Sequence, residues 1–312
     1  MVDGFSKLTL ENNTIRTVFI PELGGKMIEI SNKQTGTQFL KEPQASYGPY
    51  QKASYGDAFG KFDASGFDEC FPTISPSELN VDGRNITLPD HGELWCQSWK
   101  HEDINAGIKL TARGIQIDYE FSKTIRLIDD SILISYELIN RSDSPFNYLW
   151  SAHPLLHVVE GSELLLPRDI KRVSMFWASD DSFGAKGDIL SWPNLTGDNT
   201  SFSTIPGLSA GKAVKVFSDR LHTGYAGIYR SDVDESLMFR FNVDQIPYLG
   251  LWLCYGGWPV DEQEKHLTVG LEPTNYKSDS LEESANNNKH SYIDSGETIC
   301  WELELSVLPG KA

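Results

Sequence analysis

Apolar and polar residues alternate along much of this chain with a period of two. Gly114-Ile115-Gln116-Ile117-Asp118-Tyr119-Glu120-Phe121 alternates throughout, and residues 131–139 and 301–307 do so nearly as well. Successive side chains of a strand point to opposite faces, so this pattern predicts half-buried strands. Runs rich in β-branched and aromatic residues predict further strands at 14–20, 26–31, 94–101, 107–112, 163–166, 213–217, 224–230, 236–243, 248–255 and 266–272. Turn pairs such as Arg113-Gly114, Gly256-Gly257 and Ser295-Gly296 separate them. Helical character is confined to a short polar stretch at 278–285. So many short strands predict an all-β fold, a large antiparallel β-sandwich, with residues 1–312 as a single domain. The absence of a fixed-period repeat argues against a propeller or solenoid. Segments 41–69 and 178–212 are rich in Gly, Ser and Asp with little alternation. They predict long loops over one face of the sandwich, where binding groups usually sit.

Charge narrows the partners. Lys and Arg total 27 and Asp and Glu total 44, a net charge of −17. Nucleic acid and anionic membranes call for clustered positive charge, so neither is an expected partner. No stretch reaches the roughly 18 apolar residues of a membrane helix, and the start, MVDGFSKLTLENN, carries no signal-peptide pattern. The four cysteines, Cys70, Cys96, Cys254 and Cys300, are widely spaced and form no C-x-x-C pair. That is no disulfide scaffold. Cys96, Cys254 and Cys300 lie in apolar runs and are expected to be buried free thiols. The expected location is cytoplasmic.

Two motifs dissolve on inspection. Gly207-Leu208-Ser209-Ala210-Gly211 matches G-x-S-x-G, but a nucleophile elbow needs a hydrophobic strand before it and a helix after it. Here Ser201-Phe202-Ser203-Thr204-Ile205-Pro206 precedes it and a strand-like run follows. His153 and His157 have helical metal spacing, yet Pro154 lies between them. On a strand they would stand about 13 Å apart, too far for one metal. No metal and no cofactor is expected.

Three residues remain. His91 lies in Leu88-Pro89-Asp90-His91-Gly92, a loop leading into an apolar run. His153 lies in the apolar segment Trp150-Ser151-Ala152-His153-Pro154. Glu272 ends the apolar run Gly270-Leu271-Glu272-Pro273. Ionisable groups in apolar settings are costly unless partnered, and the same setting tunes their proton affinity. The residues alone yield a candidate acid/base set whose members are not shown to be neighbours. In order and setting, the trio resembles that of the galactose mutarotase-like superfamily, the aldose 1-epimerases and their relatives. The resemblance runs over roughly residues 5–308.

The resemblance implies a β-supersandwich holding a sugar and an isomerase that interconverts α and β anomers by ring opening. It implies Glu272 as general base, His153 as general acid and His91 as a sugar-binding group. Lys61 occupies the loop where many members carry an arginine. Asp68, Asp244 and Asp261 are candidates for a sugar-binding aspartate. In the aromatic run ending Tyr255-Gly256-Gly257-Trp258, Trp258 is the expected stacking platform and Tyr255 a further contact. The expected partner is a small sugar, with the chain a monomer or homodimer. The alternatives are a sugar-binding protein without catalysis, and a lyase or hydrolase.

Overall fold

Alternation becomes burial along Ser131–Asn140, where every second residue is enclosed. This strand pairs with Tyr119–Ile128 on one side and Thr298–Pro309 on the other, all antiparallel. They form the middle of an eight-stranded sheet. It continues through Gly107–Arg113 to Lys100–Ile104 at one edge, and through Glu235–Phe241 and Tyr225–Arg230 to Glu163–Leu165 at the other. A ten-stranded sheet runs in the order Leu8–Glu11, Ile15–Ile20, Lys26–Asn32, Phe67–Cys70, Ser151–His157, Leu267–Thr274, Tyr248–Tyr255, Lys212–Ser218, Arg172–Ala178, Ile189–Ser191. The two sheets share one apolar core, to which Phe19, Leu156, Leu251 and Leu271 contribute from one and Phe121, Tyr136, Phe239 and Leu303 from the other. The computed structural model describes residues 1–45, 48–81, 83–197, 200–287 and 292–312. Parts of both expected loops, 46–47 and 198–199, therefore lie outside the described residues. No helix among those described is long and apolar enough to cross a membrane.

The core holds a charge. Glu69 points between the sheets and accepts from Lys123 Nζ (3.2 Å), Tyr136 OH (3.0 Å) and Trp150 Nε1 (3.0 Å). Its strand neighbours Asp68 and Cys70 face the opposite way by the period of two. On that outer face a second apolar cluster of Ala53, Phe59, Ala64, Trp95, Cys96 and Leu155 brings loop residues onto the sheet.

Three expectations need correction. The strand expected at 114–121 begins only at Tyr119. Residues before it fold into a turn clamped by buried Glu93, which accepts from the Ile115 and Gln116 amides and from Tyr119 OH, each at 2.9 Å. The strand expected at 94–101 begins at Lys100. Trp99 Nε1 donates to the Leu94 carbonyl at 3.0 Å, and the Gly24 amide donates to the Gln97 carbonyl at 2.8 Å, curling the segment. A Cβ on Gly24 would sit 2.5 Å from Trp95 Cα, so this close approach requires glycine. Cys300 is exposed rather than buried, because Trp301 takes the inward position beside it. Cys96 and Cys254 are buried free thiols. The polar stretch near 278–285 does form a helix, Leu281–Asn287.

Candidate active site

Strand register assembles the site. Directly opposed residues of antiparallel strands share a face. Asp68 opposes His153. The pairs Ser151 with Thr274 and Leu155 with Gly270 set His153 across from Glu272. Glu272 opposes Gly250, which opposes Phe217. Lys215 stands two residues from Phe217 on that same outer face, opposite Trp252. A side chain at Gly250 would meet Glu272 and Phe217 at 3.2–3.3 Å. The bare backbone there leaves room for the long Lys215 side chain.

Above this row lies a cavity of about 360 Å³ lined by His91, His153, Lys215, Glu272 and Asp279, with aromatic walls that include Phe59, Phe176, Trp177, Trp252 and Trp258. His153 Nε2 lies 4.0 Å from Glu272 Oε1. Lys215 Nζ contacts Glu272 Oε2 and lies 3.6 Å from Asp279 Oδ1. His91 Nδ1 is 2.9 Å from Asp90 Oδ1, and its ring stacks on Phe59 at 4.3 Å. The His91 and His153 rings meet edge-on at 5.0 Å. His91 holds φ +59°, a left-handed conformation that a residue with a Cβ seldom adopts. The Phe59 amide donates to Asp90 at 2.9 Å, tying the two loops together.

Burial sets the electrostatics. It pushes the Glu272 carboxyl above its ordinary range against the opposing pull of Lys215. Burial alone would lower the Lys215 ammonium, but Asp279 and Glu272 outweigh it and the net shift is upward. His153 is held well below the usual histidine range, by burial first and then by the positive side chains around it. Its imidazole is therefore neutral near pH 7. Glu272 Oε1 and His153 Nδ1 are buried without a hydrogen-bond partner among the described residues. Such groups are costly unless a ligand or water satisfies them.

The residues expected from sequence divide. His91, His153, Glu272 and Trp258 meet in the cavity. Gly60 makes room for Trp258, whose ring lies 3.1 Å from where a Gly60 Cβ would be. Asp68 lies on the same face but is buried in an ion pair with Lys26 (3.0 Å), which also binds Asp63 (2.6 Å). Asp68 does not line the cavity. Lys61 is exposed at the end of the short turn Phe59–Lys61 and is not among the residues that line the cavity. Tyr255 is a correction: it is fully buried, and its OH donates to the Phe202 carbonyl at 2.9 Å. It alternates onto the core side of its strand. Asp244 is an exposed residue near Arg220, away from the cavity.

Sequence reasoning missed Lys215 and Asp279. A lysine within Ala213-Val214-Lys215-Val216-Phe217 is itself a signal, since a charge in the middle of an apolar strand needs a partner. Asp279 gave no such signal among its serine neighbours.

No protein-family model matches the chain. A curated relative, an alpha-amylase from Pyrococcus furiosus, is 23% identical over 163 residues, which is 46% of this chain and 25% of the amylase. The chain thus spans about a quarter of the length of that relative. Solved structures align over nearly the whole chain. The Slr1438 protein from Synechocystis sp. PCC 6803 does so with a TM-score of 0.74 and 14% identity, covering 99% of this chain and 97% of that one. A galactose mutarotase-like protein from Lactobacillus casei gives 0.71 and 14%, covering 97% and 100%. The GalM/aldose epimerase homologue from C. elegans gives 0.67 and 12%, covering 99% and 100%. The fold is that of the galactose mutarotase-like proteins.

Proposed function

We propose that this protein is an aldose 1-epimerase type isomerase that opens and recloses the ring of a small sugar in the Glu272 cavity. The single observation that carries this reading is the contact pair Glu272–Lys215, beside His153, at the floor of an aromatic-walled hollow. Opening a cyclic hemiacetal requires a proton to leave the C1 hydroxyl and another to reach the ring oxygen. Both oxygens are bonded to one carbon, so acceptor and donor must be neighbours.

In this reading Glu272 takes the hydroxyl proton as C1=O forms and the bond from C1 to the ring oxygen breaks. The resemblance would give the donor role to His153. A neutral imidazole is a poorer acid than an ammonium, and the anionic Glu272 that holds the Lys215 proton is neutralised as it takes the hydroxyl proton, so we assign that role to Lys215 instead. His153 then holds the ring oxygen through an N–H, and His91 binds a hydroxyl. Glu272 is left protonated and Lys215 neutral, in contact, and the proton passes between them to restore the ion pair. The reset pair serves equally when the aldehyde, rotated about C1–C2, recloses on its other face. The aromatic walls, Trp258 among them, suit the C–H face of a pyranose.

Glycoside hydrolases commonly place two carboxylates on either side of the bond they cut. Here Glu272 and Asp279 converge on one ammonium, an arrangement that supports ring opening over cleavage. The test is anomer interconversion, followed by polarimetry or NMR over a panel of monosaccharides. Acceleration by the protein that Glu272→Gln removes supports the reading. Saturable sugar binding without acceleration returns the protein to the non-catalytic alternative.

A further inference from the structure

Cys70 has no place in the chemistry above, yet its thiol lies at the edge of the two histidines. One donor atom from each of Cys70, His91 and His153 lies within 4.8 Å of the other two. Register explains the convergence. Cys70 follows Asp68 by two on the outer face of the sheet, and Asp68 opposes His153. The His91 loop is hydrogen-bonded onto the same strand end, with the Glu93 amide donating to the Phe71 carbonyl at 2.7 Å. From these residues we infer a site for a thiophilic divalent cation of the Zn²⁺ class, formed by Cys70, His91 and His153 and sharing the floor of the sugar cavity.

Four observations carry the assignment. One thiolate and two imidazoles make a donor set that suits Zn²⁺ and is foreign to Mg²⁺ or Ca²⁺. Asp90 already engages His91 Nδ1 at 2.9 Å, leaving Nε2 for the ion. A carboxylate behind a histidine is the usual outer support of such a ligand. His153 Nδ1 is buried with no hydrogen-bond partner among the described residues, on a side chain only 9% exposed. Glu272 Oε1 adds a carboxylate beside the set, 4.0 Å from His153 Nε2 and without a hydrogen-bond partner among the described residues.

Bond lengths near 2.0–2.3 Å place tetrahedral ligands roughly 3.3–3.8 Å apart. Closing the set therefore needs about 1 Å of movement, which would come from the His91 loop, the one partly exposed member of the set. Three protein ligands leave a fourth position for water. The Cys70 thiol must give up its proton to solvent on binding. Of the 153/157 pair that the sequence sets aside, only His153 belongs to this set, since His157 is exposed at the far end of the strand.

Bound Zn²⁺ takes His153 away from the sugar and sets a dication beside Glu272, so metal and sugar exclude one another. This exclusion rests on the proposed function, whereas metal binding does not. The experiment titrates the full-length reduced protein, without sugar, with Co²⁺ as an optical stand-in for Zn²⁺. The expected result is a thiolate-to-metal charge-transfer band with tetrahedral d–d bands, saturating at one equivalent. Cys70→Ser should abolish the charge-transfer band, and Asp90→Asn should weaken affinity about 10- to 100-fold. Cys70→Ala, with its fold checked by circular dichroism, guards against a misfolded serine variant. No band at one equivalent, or a band that survives loss of Cys70, overturns the site. Zn²⁺ should also slow anomer exchange in the wild-type protein and spare Cys70→Ser. Equal inhibition of both would overturn the exclusion.

Discussion

At the scale of single residues, the contact between Lys215 and Glu272 makes two substitutions informative. Lys215→Met removes both the charge and the proton donor, and kcat should fall by roughly 10²–10⁴-fold, the usual worth of a positioned acid. Lys215→Arg keeps the charge beside Glu272, but a guanidinium does not release its proton near neutrality. Were Lys215 only a counter-ion, Arg would preserve turnover. As a donor, it should not, and kcat should drop by a similar factor while KM stays within a few-fold. Steady-state anomer exchange with both variants decides between these roles. Lys215 was open to discovery in the sequence as a charge flanked by Val214 and Val216. Asp279, by contrast, is a functional neighbour only because a loop before the helix Leu281–Asn287 folds over the cavity.

At the scale of elements, the legible strands are those with one face in the core and one in solvent. Ser131–Asn140 reads correctly because its burial alternates. Phe67–Cys70 and Ser151–His157 escape this pattern, and the second carries His153 into the cavity. Phe67–Cys70 is buried on both faces, one by the Glu69 network and the other by the cavity floor. Its two adjacent carboxylates, Asp68 and Glu69, therefore break the apolar pattern of a strand and fall within the loop expected over 41–69. Ser151–His157 is interrupted by Pro154 and also lacks polar alternation. A functional face on a buried strand erases the very pattern by which strands are recognised.

The same close fit gives a prediction from Gly270. A Cβ there would stand 2.8 Å from Glu272 Oε1 and 3.1 Å from Trp252 Cβ. Gly270→Ala should push the carboxylate aside without unfolding the sheet. A displacement approaching 1 Å costs up to about 100-fold in rate, so we expect kcat reduced between about 10- and 100-fold. Stopped polarimetry against an unchanged circular dichroism spectrum checks it.

At the scale of the whole molecule, the site rests on a sheet pinned from below by a buried ion pair. Glu69 and Lys123 bridge the two sheets in a setting that excludes water. Removing one member of such a pair typically costs about 3–5 kcal/mol, because the other is left charged and buried. Lys123→Met should therefore lose about that much in denaturant unfolding. Glu69→Gln with Lys123→Met should recover a large part of it, since the amide oxygen can accept from Trp150 Nε1 while the amide NH2 donates to the Tyr136 hydroxyl. A double variant as unstable as the single one would show that packing, not charge, dominates there.

The fold brings Glu272, Lys215 and His153 together at one cavity, and the proposed function sets a hemiacetal there. The most direct measurement is NMR exchange between the α and β anomers of a monosaccharide panel, comparing the wild-type protein with a folded Glu272→Gln variant. The proposed function predicts at least one sugar whose exchange the wild type accelerates, with that acceleration cut by roughly 10² or more in the variant. Acceleration of that sugar undiminished by Glu272→Gln would contradict it.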